Sequence, residues 1–230
     1  MTTPTKRKSS APARSSRQAG RAAAQRQAAQ RRLLVRVAIG VVVALGVLFV
    51  ISQTGGGSAS SASGPRFDVG SPGPGAEAPT FRLPSTDGST FDLAEAKGES
   101  VLLYFQEGIM CQPCWTQITD IESSWGDFEA LGIDRMVSIT VDDLGRLRQK
   151  VADEGIETPL LADPDLSLAE AYTANQYGMM GTGMYGHSFI LVGPDGTITW
   201  RADYGGAPDY TMYVKPGQLL DDLRAELGRS

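Results

Sequence analysis

From residue 80 onward, apolar and polar positions fall into short blocks separated by turn-forming residues. Residues 81–83 and 90–93 are apolar-rich and flank Ser-Thr-Asp-Gly, which predicts a β-hairpin. Val101–Phe105 (VLLYF) is an unbroken apolar run of strand length, as expected for a strand buried on both faces. Ile118, Ile121, Trp125, Phe128 and Leu131 recur at helical spacing, so 118–131 is expected to be a helix. Residues 133–141 read as a second buried strand, and 144–151 and 166–172 as helices. Strands are expected at 189–192 and 197–202 across Gly-Pro-Asp-Gly, and Pro216 opens a last helix that ends near Leu227. The order hairpin, β-α-β-α, β-β-α predicts an α/β fold whose mixed sheet is parallel in its first part and closes with an antiparallel edge. Residues 178–186 (GMMGTGMYG) carry too many glycines for a core element. Their three methionines leave three uses open: an adaptable apolar surface for a protein thiol, loop packing, or thioether ligation of copper(I).

The apolar run at 33–51 has another character. No polar side chain occurs from Val37 to Ile51, and at roughly 1.5 Å per residue the run spans about 28 Å, close to a bilayer's hydrocarbon core. Arg36 sits in its first turn, where the guanidinium can reach the headgroups. A transmembrane helix is the expectation; a cleaved signal peptide is the alternative, although the basic stretch before it is long for one. Residues 52–79, rich in Gly, Ser, Ala and Pro, read as a linker, and 80–230 as the globular domain.

Charge sharpens this division. The 230 residues sum to a net −5, but ten Lys or Arg and no Asp or Glu lie between Met1 and Arg36. The rest of the chain holds 11 basic against 26 acidic residues. Cationic flanks stay on the cytoplasmic side, so residues 1–32 are expected to be a basic cytoplasmic tail, with the acidic domain extracytoplasmic on a single-pass cell-membrane anchor. The acidic body speaks against nucleic acid as a partner.

Both cysteines lie in one motif, Cys111-Gln-Pro-Cys114, just after the VLLYF strand. Pro113 suits the first turn of a helix, where its missing N–H costs nothing. Cys111 is thereby placed at the helix N-terminus, where free N–H groups and the dipole favour a thiolate. Cys114 follows one turn on. Cys111 can attack an external disulfide and Cys114 can resolve the mixed disulfide. Zinc would call for a second cysteine pair, which is absent. A purely structural disulfide would close too short a loop to stabilise much.

A strand, then C-x-P-C opening a helix, then FILV and TITWRA around GPDG, resembles the thioredoxin-like superfamily over about residues 79–227. The hairpin and the FILVGPDGTI stretch are most similar to its redoxin branch, which includes AhpC/TSA peroxiredoxin-like proteins and TlpA-like membrane-anchored thiol–disulfide oxidoreductases. The resemblance implies a thioredoxin-like fold, an oxidoreductase without a cofactor, a protein disulfide or thiol client, and a separate electron donor. Three departures stand out. The peroxiredoxin motif P-x-x-x-T-x-x-C is absent: Tyr104 and Gly108 stand where its Pro and Thr would precede Cys111, and Glu107 and Cys111 where they would precede Cys114. Gly186 occupies the place of the superfamily's cis-proline, followed by His187. Met110, not Trp, precedes the first cysteine. The single histidine, His187, is a candidate proton relay or thiolate stabiliser, and Glu107, four residues before Cys111, a candidate proton carrier for Cys114. Two alternatives stay open: a peroxiredoxin-like peroxidase, and a Sco-like copper chaperone binding Cu(I) through Cys111, Cys114 and His187.

Overall fold

In the computed structural model the described residues are 66–228. The expected tail (1–32), membrane helix (33–51) and first part of the linker lie outside them. No helix among the described residues is long and apolar enough to cross a membrane.

A five-stranded sheet is built around β3 (Val101–Phe105). All five of its residues are buried, as its apolar run requires. On one side β3 pairs in parallel with β4 (Arg135–Thr140), which pairs in parallel with β5 (Leu160–Ala162). On the other it pairs antiparallel with β6 (Ser188–Val192), and β6 with β7 (Ile198–Asp203). The order β5-β4-β3-β6-β7 is the mixed sheet predicted from the alternation of elements. The hairpin β1 (Arg82–Pro84) and β2 (Thr90–Asp92) forms a separate two-stranded sheet that touches β5 through a bridge between Ser85 and Leu161.

Side chains alternate between two apolar layers. Leu102 and Tyr104 of β3 join Phe189, Leu191 and Trp200 beneath α1 (Gln112–Ser123) and α5 (Pro216–Leu227). Leu103 and Phe105 face the opposite layer with Ile139, Ile190, Tyr172 and the hairpin's Phe81 and Phe91. Helix α3 (Leu144–Glu154) adds Leu147 to the first layer, and α4 (Ala169–Tyr172) adds Tyr172 to the second. Asp143 caps α3 by accepting from the backbone N–H of Gly145 and Arg146, and Gly155 ends it in the left-handed conformation.

One local reading changes, and one strand is added. The helix expected at 118–131 is two: α1 stops at Ser123, and α2 (Trp125–Ala130) restarts after Ser124. Near the break, the Ser123 hydroxyl donates to the Thr119 carbonyl, a local bond that competes with regular helix pairing. Strand β5 has only three residues, too short to show a period.

The linker boundary at 79 also shifts. Residues 66–79 lie against the β7 edge: Asp68 pairs antiparallel with Asp203 and Glu77 with Thr197. The anchor is an ion pair, Arg201 with Asp203, both fully buried. Asp203 accepts two bonds from the guanidinium, at 2.8 and 3.0 Å, and one from Gly70 N–H at 2.7 Å. Arg201 also donates to the Pro72 carbonyl at 3.0 Å. The pair thus satisfies itself by binding the incoming chain.

Arg201→Met leaves the Asp203 charge buried and unpaired, so urea unfolding is expected to show a loss of about 3–5 kcal/mol. The double variant Arg201→Met/Asp203→Leu is expected to recover part of it.

Candidate active site

Strand β3 ends at Phe105 and hands the chain to a loop, 106–110, that leads into α1. The loop is held from within. The buried Gln106 side chain accepts from Gly108 N–H at 2.8 Å and donates to the Ser138 hydroxyl on β4 at 3.3 Å. Asp142, just past β4, accepts from Ile109 N–H at 2.8 Å and from the Thr140 hydroxyl at 3.1 Å. Gly108 has φ +89°, and a Cβ there would sit 1.9 Å from an Asp142 carboxylate oxygen and 2.5 Å from the Thr140 hydroxyl. A threonine at this position is therefore excluded both by backbone conformation and by occupied space.

Cys111 is the N-cap residue of α1. Its sulfur accepts from Cys114 N–H at 3.3 Å, and Pro113 occupies the first turn. No acidic residue lies in that turn to oppose a thiolate. The two cysteines are joined in a disulfide with Cα atoms 5.3 Å apart. Cys111 is 5 % exposed and Cys114 is fully enclosed. The indole N–H of Trp115 donates to the Gly108 carbonyl at 3.1 Å, tying the helix start back to the loop. The geometry brings together Cys111, Cys114 and Pro113 as the motif spacing predicts.

His187 and Glu107 each hydrogen-bond to a group other than a sulfur. His187 immediately precedes β6 and is fully buried; its Nδ1 is 2.9 Å from the Tyr104 hydroxyl, and its Nε2 has no hydrogen-bond partner. Neither nitrogen bonds to a cysteine. Burial lowers the His187 pKa to about 3, so the ring is neutral at physiological pH and offers a thiolate no positive charge. Tyr104, stacked on Phe189 at 4.3 Å, is pushed well above the usual phenol range, first by burial and then by the Glu107 charge. Glu107 is also buried, at 4 % exposure. One carboxylate oxygen accepts from the N–H groups of both Met179 and Met180, the latter at 3.0 Å. It serves the methionine-rich loop.

Cys111, Cys114 and His187 do not assemble as ligands. Among the described residues no group of three or more His, Cys, Asp or Glu side chains is arranged to hold a metal ion. Both sulfurs are engaged with each other. The residues that sequence reading missed are Tyr104, Gln106, Thr140 and Asp142. Of these, Tyr104 carried a signal: it is the one hydroxyl in an otherwise apolar strand run, and a buried hydroxyl requires a partner.

The AhpC/TSA family profile matches residues 74–201, more than half of the chain. The peroxiredoxin-like protein Rv2521 of Mycobacterium tuberculosis is 33% identical over 129 residues, covering 54% of this chain and 81% of that protein. Peroxiredoxin Bcp of Escherichia coli is 29% identical over 104 residues, 45% of this chain and 63% of Bcp. The thiol–disulfide oxidoreductase ResA of Halalkalibacterium halodurans is 26% identical over 99 residues, 43% of this chain and 55% of ResA. Among solved structures, peroxidoxin BcpB of Mycobacterium tuberculosis superposes with a TM-score of 0.54 at 18% identity, covering 66% of this chain and 97% of that one. That likeness establishes the thioredoxin-like α/β fold.

The buried histidine gives a pH dependence of known sign. An unfolded histidine takes a proton below about pH 6.5, whereas folded His187 refuses it until about pH 3, so stability falls as pH drops through that window. Between pH 7 and pH 5 the protein is expected to lose about 2 kcal/mol more than its His187→Phe variant, as read by urea unfolding at both pH values. Gly108→Thr is expected to cost about 2–4 kcal/mol by the same assay.

Proposed function

The chain belongs to the AhpC/TSA family and is an oxidoreductase, and from that premise we propose that Cys111 and Cys114 form the redox centre of a thiol–disulfide oxidoreductase. The observation that carries the reading is the division of labour at the start of α1. One sulfur caps the helix at the edge of solvent, and the other is enclosed one turn away within disulfide reach.

In the reduced protein, the Cys111 thiolate attacks one sulfur of a client disulfide. A mixed disulfide forms, and the other client sulfur leaves as a thiolate that takes a proton from solvent. Cys114 then loses its proton and attacks Cys111 Sγ. The second client sulfur leaves, and the Cys111–Cys114 disulfide remains. Two electrons have passed to the client, and a separate thiol donor must return them. The enclosed position of Cys114 keeps it for the second step, because an external disulfide meets Cys111 first.

A second reading, peroxide reduction through a Cys111 sulfenate, draws support from the peroxiredoxin names of the relatives. Against it stands the motif: counted back from Cys111 its Pro and Thr positions hold Tyr104 and Gly108, and counted back from Cys114 they hold Glu107 and Cys111, so neither register supplies a threonine to polarise a peroxide.

The membrane placement belongs to the same proposal. The apolar run at 33–51, with its cationic flank, serves as a single-pass anchor; the tail 1–32 is cytoplasmic and the redox domain extracytoplasmic. The client is then an extracytoplasmic protein thiol or disulfide, and the donor a membrane electron carrier.

Stopped-flow oxidation of the full chain, reduced and freed of reductant, separates the two chemistries. A peptide disulfide is expected to oxidise the pair at least about tenfold faster than equimolar hydrogen peroxide, and Cys111→Ser to abolish the reaction. Faster oxidation by micromolar peroxide would hand the assignment to the peroxidase reading.

A further inference from the structure

Five large apolar side chains are exposed among the described residues: Val69, Met110, Met179, Met180 and Tyr210. Three of them are tied to the loop that leads into Cys111. Met110 directly precedes Cys111 and is 71 % exposed. Met179 and Met180 lie far away in sequence, but their backbone N–H groups are both bound by the buried carboxylate of Glu107, in the loop that delivers Cys111. The attachment is close. A Cβ on Gly178 would come within 2.9 Å of that same carboxylate oxygen and 3.1 Å of Gly186 Cα. The preceding carbonyl, that of Tyr177, accepts from His187 N–H at 3.0 Å, and a Cβ on Gly186 or Gly205 would fall 1.9 or 1.7 Å from its oxygen. The backbone beneath the two methionines is therefore fixed on both sides, while their thioether side chains stand in solvent.

We infer that Glu107 is a positioning residue that fixes Met179 and Met180 as a ledge beside Cys111, and that the ledge, with Met110, takes the apolar polypeptide segment flanking a client's cysteine. The inference rests on the thiol–disulfide reading above. The occupant follows from access. Because Cys111 is only 5 % exposed, a disulfide that reaches its sulfur must press its flanking chain onto the surface around it. The three methionine side chains are unbranched, uncharged and adaptable, which suits varied apolar side chains better than a small charged disulfide. The same geometry explains an otherwise costly arrangement: a carboxylate is buried to bind two backbone N–H groups of a loop that has no core of its own.

The test compares the full chain on three disulfides, with dithiothreitol as the electron donor and its direct reaction subtracted: a cyclic peptide disulfide flanked by leucines, the same peptide flanked by serines, and oxidised glutathione. The Met179→Ser/Met180→Ser variant is expected to lower the ratio of kcat/KM for the leucine peptide over that for glutathione about tenfold, mainly through KM. Glu107→Ala is expected to lower it in the same way. Glu107→Gln, whose amide oxygen still accepts both N–H groups but cannot carry a proton, is expected to restore the ratio. If the methionine variant keeps the wild-type ratio, the ledge is overturned. If Glu107→Gln slows all three substrates alike and shifts the pH profile of kcat, Glu107 is a proton carrier and the positioning role is overturned. If the unaltered protein exchanges with none of the three disulfides, the thiol–disulfide reading itself fails.

Discussion

Strand β3 is buried along its whole length, and the site depends on that constraint. A strand covered on both faces cannot slip by one residue without carrying Tyr104 into the wrong layer and Phe105 with it. Its register against β4 and β6 is therefore tightly specified, and the point at which the chain leaves the sheet is specified with it. Each group around the cysteines is measured from that exit. Gln106 reaches across to Ser138 on β4, Asp142 at the end of β4 holds Ile109, and His187 at the start of β6 meets Tyr104. The loop can carry a glycine at φ +89° because its neighbours on both strands hold it there.

This framing separates residues that act on sulfur from residues that hold the frame. A buried polar side chain is costly unless bonded, and the bonds it makes reveal its work. His187 bonds to Tyr104 and joins β6 to β3. Glu107 bonds to the backbone of a loop 72 residues further on. Asp142 bonds to the loop that carries Gly108 and fills the space a side chain there would need.

Legibility followed the range of the interactions. The VLLYF strand, the C-x-P-C helix start and the GPDG hairpin were readable because each is decided by a few consecutive residues. Strand β5 is three residues long and exists because β4 offers it a parallel edge, so nothing local announces it. The packing of 66–79 depends on Arg201 and Asp203, more than a hundred residues away, and a Gly- and Pro-rich composition hides it. The cysteine pair could be named from spacing alone. The partners of His187 and Glu107 could not, because a side chain's proximity to a motif in sequence does not say which way it points once the strands are paired. The low pKa of His187 is likewise a property of enclosure, invisible until the layers are closed.

The asymmetry between the two cysteines has one further physical consequence. Cys111 stands at the helix N-terminus, where its sulfur already accepts a backbone N–H; once reduced, a negative charge on that sulfur strengthens the same bond and meets the positive end of the α1 dipole. Cys114 stands one turn on in the same apolar layer, beside Trp115 and Ile118, and is fully enclosed. The fold thus gives the two sulfurs different surroundings although they are three residues apart. In the proposed exchange the sulfur at the edge of solvent meets a client first, and the enclosed one acts once a mixed disulfide stands beside it. On that reading the order of attack and resolution follows from where helix α1 begins, and that in turn from where β3 is forced to end.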